Sequence, residues 1–217
     1  QAQYRTLVEY EPDNPRLPLQ LAKCLWQLGR PQEAIEWVKR AIFLDPLMLD
    51  AYVELSDYHS AQYDYKAALR ALADAKKNAH GHYKIWRGLA IVQLRRNDLE
   101  SALKFAQQAV NAYDSDIDNL LTLADVQLRL SNFHDAYVTI SKALEIDAYQ
   151  LRARALYARA LMGYQGAGTA LQKVRQWIEQ FPNEVEHRMT MGELYLEDQQ
   201  FDNAISIFNS ILQHPDY

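Results

Sequence analysis

Apolar residues along this chain recur three and four apart in short segments, each closed by a few polar or turn-forming residues. EAIEWVKRAIFLDP, KAALRALADAKK, SALKFAQQAV, DAYVTISKALEID, TALQKVRQWIEQFP and NAISIFNSIL each read as one amphipathic helix. About twelve residues upstream of each lies another apolar-periodic segment carrying one small residue: Ala22, Ser56, Ala90, Ala124, Ala158 or Gly192. The pattern predicts a series of helical hairpins. With only 7 Gly and 7 Pro in 217 residues, long helices with short turns are favoured over a sheet, and the class is all-α.

The hairpins keep a fixed period. Ala34, Ala68, Ala102, Ala136, Ala170 and Ala204 follow one another at intervals of 34 residues, without insertion or deletion. Small side chains there and at the matching place in the first helix let the two helices of a hairpin approach closely. The register places repeats at 15–48, 49–82, 83–116, 117–150, 151–184 and 185–217, preceded at 1–14 by the second helix of a truncated repeat. A single array over 1–217 is expected, entered and left in mid-pattern, with no polar capping helix at either end.

These residues resemble the tetratricopeptide repeat. Its early aromatic is matched by Tyr52 and Trp86, and its Leu-Gly/Ala pair by Leu21-Ala22, Leu89-Ala90, Leu123-Ala124 and Met191-Gly192. Its later aromatic is matched by Tyr195, its second small site by Ala41, Ala75, Ala109 and Ala143, and its closing proline by Pro12, Pro46 and Pro182. Pro18, Leu120, Arg154 and Arg188 depart from the early aromatic, and bulky Trp177 and Ile211 from the second small residue. The resemblance implies a right-handed α-solenoid of antiparallel helix pairs. GYQGAG, holding Gly163, Gly166 and Gly168, reads as the turn of the fifth hairpin, loosened to accommodate Trp177, or else as a hinge or recognition loop.

Charge and chemistry narrow the function. The net charge is −5, and no block of like charges forms a nucleic-acid footprint. No apolar run approaches the ~20 residues of a membrane span, so no direct membrane insertion by this segment is expected. The first residues, QAQYRTLVEYEP, lack a signal core, which decides nothing about compartment, periplasm and cytoplasm both staying open. Cys24 reads as a small buried hydrophobe. His80 and His82 have no third ligand nearby, His187 lacks the HExxH arrangement, and no nucleophile elbow or phosphate loop occurs. No catalytic residue, cofactor or metal is expected, and a non-enzyme is the better reading.

In tetratricopeptide proteins the second, fifth, ninth and twelfth residues of each first helix point into a concave surface. By that resemblance, the second and ninth places here are Arg16 and Lys23, Asp50 and Asp57, Lys84 and Ile91, Asp118 and Asp125, Arg152 and Arg159, Glu186 and Glu193. Charge sign alternates from repeat to repeat. Either these groups form a ladder of ion pairs between neighbouring first helices, or a partner competes for them, and both can hold. The fifth and twelfth places are mostly apolar, with Leu19, Trp26, Val53, Leu94, Leu121, Leu128, Met162, Met189 and Leu196 broken by Arg87 and Ser60. Trp26, Met162 and Met189 are the expected anchors for an extended or helical segment. Lys23 fits the first basic place of the family's carboxylate clamp, but Glu54 and Asp57 stand where an amide is wanted, so a chaperone-tail adaptor is disfavoured. The expected function is a scaffold that binds a partner protein in this groove, within a larger bacterial-type assembly or secretion protein. The alternatives are the substrate-selecting arm of an enzyme such as a glycosyltransferase, and a self-association module.

Overall fold

A computed structural model describes residues 10–79 and 81–212. Most of the truncated helix expected at 1–14, the candidate ligand His80 and the chain after Leu212 lie outside the described residues. The described residues form helices and turns without a strand, an all-α solenoid of helix pairs. In chain order the helices are α1 (Arg16–Gln27), α2 (Pro31–Leu44), α3 (Leu49–Ala61), α4 (Tyr65–Asn78), α5 (Tyr83–Arg95) and α6 (Leu99–Ala112). They continue with α7 (Ile117–Arg129), α8 (Phe133–Ile146), α9 (Leu151–Gln165), α10 (Ala167–Gln180), α11 (Val185–Glu197) and α12 (Phe201–Leu212). Odd numbers are first helices and even numbers second helices. The chain divides into two compact units, Gln1–Tyr113 with α1–α6 and Asp114–Tyr217 with α7–α12.

Local chemistry sets the helix ends. Asp64 and Asp98 accept the Ala67 and Ser101 amides at 3.0 and 3.2 Å and start α4 and α6; Asp116 and Gln150 do the same for α7 and α9. Within a hairpin the first helix stops on a left-handed residue: Gly29, Tyr63, Asn97, Ser131 and Gln199, with φ between 60° and 70°. The next amide then reaches back five residues, as Arg30 N to Leu25 O at 3.0 Å and Asp98 N to Gln93 O at 2.9 Å, which occupies carbonyls the helix end leaves open.

The fifth hairpin departs from this rule, and not as GYQGAG suggests. Its α9 runs on through Gln165, and Gly166 alone, at φ +94°, separates it from α10. The turn is shorter than its neighbours, and Trp177 lies in the last turn of α10, away from it. Gly163 belongs to α9, where a Cβ would collide with the Phe133 ring of the preceding hairpin. That glycine serves helix packing, not the turn.

The cores follow the period. Ala34, Ala68, Ala102, Ala136, Ala170 and Ala204 are all fully buried, as are Ala41, Ala75, Ala109 and Ala143. Around them close Leu21, Leu25, Ile35 and Val38 in unit 1 and Leu161, Leu171, Val174, Met191 and Leu194 in unit 2. Each such leucine buried stabilises the fold by about 1.5–3 kcal/mol relative to exposure. Cys24, expected to be buried, is only partly covered.

Candidate functional site

In unit 1 the first-helix face is tied together by charge. Lys84 Nζ meets Asp50 Oδ1 at 2.5 Å, one repeat apart in sequence, as the alternating pattern predicts. Lys23 does not meet Asp57; its partner is Glu54, at 3.3 Å. Asp57 pairs instead with Arg95, at 3.7 Å, because the third repeat carries Ile91 at its ninth place and Arg95 stands one turn further on. Burial pushes the Asp57 carboxyl up to about 6; Arg95 and Arg87 oppose that and Glu54 adds to it. Arg16 is exposed, Val53 half-buried, and half-buried Arg87 lies 5.9 Å from the Tyr83 ring centroid. Leu19 is buried in the hairpin core, and Trp26 stacks on Tyr58 at 4.1 Å, so neither is an open anchor.

The same face in unit 2 is looser. Arg159 Nε meets Glu197 Oε1 at 3.0 Å, and Asp125 is held within its own helix by Arg129 at 3.9 Å. Asp118, Arg152, Glu186 and Glu193 are exposed. Among the described residues Arg152, Glu186 and Glu193 have no ion-pair partner. Leu121 is fully buried and Met162 half-buried, whereas Met189 and Leu196 remain 41% and 44% exposed.

A second pair of surfaces lies between neighbouring second helices, and the fourth residue of the first helix governs it. Tyr52 Oη donates to the Pro46 carbonyl at 3.2 Å, Arg154 Nε to Ala148 at 2.9 Å and Arg188 Nη2 to Pro182 at 2.9 Å. In each case the acceptor lies six residues earlier, in the turn that enters the helix. The arginines read as departures from an aromatic place therefore do the tyrosine's polar task.

Arg154 does more. It is only 6% exposed, with the Phe181, Trp177 and Tyr149 ring centroids 4.7, 5.4 and 5.4 Å from its guanidinium carbon. Its Nη1 lies 3.0 Å from His187 Nε2, and since arginine only donates, that nitrogen is the acceptor and the imidazole proton sits on Nδ1. Burial, with Arg154 adding to it, lowers the His187 pKa and keeps the ring neutral. Trp177 at a normally small site and Arg154 at a normally aromatic one are thus one coupled exchange. Neither substitution in isolation signals this, and joint departure does not either, since Arg188 and Ile211 depart together in the sixth repeat; an aromatic ring at the second small site is what lets a guanidinium rest there.

Above Arg154 lies a cleft of about 380 Å³ between α8 and α10, floored by α9 and lined also by Tyr157, Lys173 and Trp177. The repeat-equivalent cleft of unit 1, between α2 and α4 over Tyr52, has about the same volume, 380 Å³. His82, one of the candidate ligands, accepts the Lys84 amide as the cap of α5. The described residues contain no group of three His, Cys, Asp or Glu placed to hold a metal, and no helix long and apolar enough to cross a membrane.

Comparison with known proteins matches this geometry. Tetratricopeptide repeat models match residues 1–54 and 47–117. A curated relative, anaphase-promoting complex subunit 3 of Schizosaccharomyces pombe, is 23% identical over 201 residues, 93% of this chain and 30% of that protein. The structure of TTC0263, a TPR protein of Thermus thermophilus, superposes with a TM-score of 0.70 at 19% identity, covering 84% of this chain and 99% of that one. In the Cut9–Hcn1 hetero-tetramer of the APC/C, one chain superposes with a TM-score of 0.75 at 15% identity, over 95% of this chain and 41% of that one. The chain thus spans less than a third of the curated relative and under half of the Cut9–Hcn1 chain. At such identities the likeness to the solved structures is one of fold.

Proposed function

Because the chain belongs to the tetratricopeptide repeat family, we propose that it is a protein-interaction scaffold, and that a partner polypeptide lies on the first-helix face of unit 2. The observation that carries this reading is the combination there of unpaired charge and exposed apolar surface. Arg152, Glu186 and Glu193 stand exposed without ion-pair partners beside exposed Met189 and Leu196. Apolar anchors supply affinity and flanking charges of both signs supply register and on-rate. In unit 1 Lys23, Asp50, Asp57 and Lys84 are already in ion pairs and only Arg16 of that row stands exposed without one among the described residues, so a partner would first have to displace those pairs.

Work inside a larger assembly is part of this proposal. A relative that is a subunit of the anaphase-promoting complex supports assembly in preference to secretion.

The test uses the chain as bait for its partner in extracts of the source organism, with capture and melting temperature read on the same variants. Arg152→Glu with Glu193→Lys is expected to abolish capture and leave melting within about 2 °C, since exposed unpaired charges contribute little to stability. Unchanged capture would sink the reading. Asp118→Lys with Asp125→Lys is expected to lower the melting temperature as well, because Asp125 holds Arg129.

A further inference from the structure

The cleft over Arg154 lies on second helices, away from the first-helix face of the proposed function. Its cations are unusual. Arg154 is buried with no carboxylate in ion-pair contact, Asp147 and Glu184 acting on it only from farther off; Nε is committed to Ala148 and Nη1 to His187, and Nη2 has no hydrogen-bond partner among the described residues. Lys173 also lines the cleft and has no ion pair there; its Nζ rests 5.5 Å from the Trp177 ring centroid. Aromatic faces and a neutral imidazole offset the lost hydration of a buried cation only in part, so the pair retains an attraction for an anion.

Unit 1 supplies an internal control. At the equivalent place Tyr52 stands for Arg154, Ala71 for Lys173 and Ala75 for Trp177. The two lysines lining that cleft are neutralised, Lys39 by Glu36 at 2.8 Å and Lys77 by Asp74 at 2.7 Å. Asn78 joins Tyr52 on the Pro46 carbonyl, so this hollow of the same size meets its polar needs internally.

We propose that the α8/α10 cleft is a second docking site, which takes a glutamate or aspartate side chain of a partner polypeptide onto Arg154 and Lys173. A planar carboxylate matches a guanidinium edge. Leu144, Tyr157 and Trp177 form walls that suit the apolar neighbours of such a residue in a peptide. Glu145 also lines the cleft, and its charge opposes a doubly charged phosphate more than a singly charged carboxylate. The cleft continues past Tyr157 and Lys173 into an adjoining hollow of about 270 Å³ lined by Gln165, Thr169, Gln172 and Gln176, whose amides and hydroxyl can hold the peptide backbone.

The test is an NMR titration of the intact chain, following the Trp177 indole and Arg154 guanidinium N–H signals. The probe is an acetylated, amidated hexapeptide of alternating glutamate and leucine; the comparators are its glutamine counterpart and inorganic phosphate. The glutamate peptide is expected to shift both signals saturably, and the glutamine peptide to bind at least about tenfold more weakly. Lys173→Glu is expected to weaken binding by about tenfold or more without touching the core. The double change Arg154→Tyr with Trp177→Ala recreates two of the three unit 1 residues and removes both reporters, so it is read from the backbone amides of Leu144, Glu145 and Lys173; it is expected to keep the fold and lose the peptide. Equal binding of both peptides, no shift at Trp177, indifference to Lys173→Glu, or displacement of the peptide by equimolar phosphate would overturn the assignment. Arg152→Glu with Glu193→Lys is expected to leave the titration unchanged, so that failure of the partner face and failure of this cleft are told apart.

Discussion

The cleft over Tyr52 and the cleft over Arg154 are built at the same repeat positions and have the same volume, about 380 Å³, yet they solve different electrostatic problems. Over Tyr52 a neutral hydroxyl closes a turn carbonyl and every lining lysine has its own carboxylate. Over Arg154 the same carbonyl is closed by a cation, which has to be housed among three rings and a neutral histidine. A repeat scaffold can therefore hold its backbone geometry constant while one coupled exchange turns a satisfied surface into one that demands an anion.

The largest expected effect tests that contrast directly. Arg154→Ala is expected to cost about 4 kcal/mol, from lost cation–π contacts, lost hydrogen bonds and the cavity left beside Trp177. Tyr52→Phe, which removes only a hydroxyl from the equivalent place, is expected to cost about 1 kcal/mol. Urea unfolding of both variants measures the difference, and equal costs would erase the distinction between the two clefts.

Next in size is the fifth hairpin. Gly163→Ala drives a methyl into the Phe133 ring and is expected to cost about 2 kcal/mol, whereas Gly168→Ala, with open space around it, is expected to change stability by less than about 1 kcal/mol. Similar values for the two glycines would mean that the Phe133 contact yields freely.

The Asp57 and His187 sites are expected to respond to pH in opposite directions. The Asp57 carboxyl, facing Glu54, Arg87 and Arg95, is raised to about 6 from an ordinary 3.8, so the folded state holds that proton more tightly. Its contribution is present below about pH 4 and is lost as pH rises toward 6. The His187 pKa, lowered among Arg154, Glu184 and Glu186, works the other way. Its contribution is complete above the ordinary histidine value of 6.5 and is lost as pH falls below it. In unit 1 the lowered pKa values of His59 and His82 act in the same sense as that of His187, so the Asp57 trend is read as the difference in hydrogen exchange between the parent and Asp57→Asn at pH 4.5 and 7.5, and the His187 trend likewise from His187→Gln.

The smallest effect belongs to the exposed ladder. Lys84→Ala is expected to cost under about 1 kcal/mol in dilute buffer, and less in 1 M salt. A larger or salt-insensitive cost would mean that the Asp50 contact is not a surface ion pair in solution.

Much of this was legible in the sequence. The hairpins, their 34-residue period and the fully buried alanines follow from local spacing, because a helix reports its buried face through residues three and four apart. The first-helix face was legible only in outline. Lys84 and Asp50 pair as their places suggest, but Lys23 takes Glu54, and Leu19 and Leu121 are buried. Position along a helix gives an angle, not the depth to which a neighbouring helix covers it. GYQGAG misled for a related reason: three glycines close together looked like one loop, while the fold uses one for a left-handed turn and another for contact with Phe133.

The sequence by itself determined the class, the repeat and the hydrogen-bonding capacity of each fourth position, since these depend on residue type and spacing within one or two turns of chain. Only the tertiary structure decided that Arg154, Trp177, Phe181 and His187, spread over 34 residues, share one buried cluster, and that Lys173 stands beside it without an ion pair among the described residues. Cation–π contact, burial and the absence of an ion pair are relations between helices. Their energies depend on distances of a few ångströms that no single helix encodes.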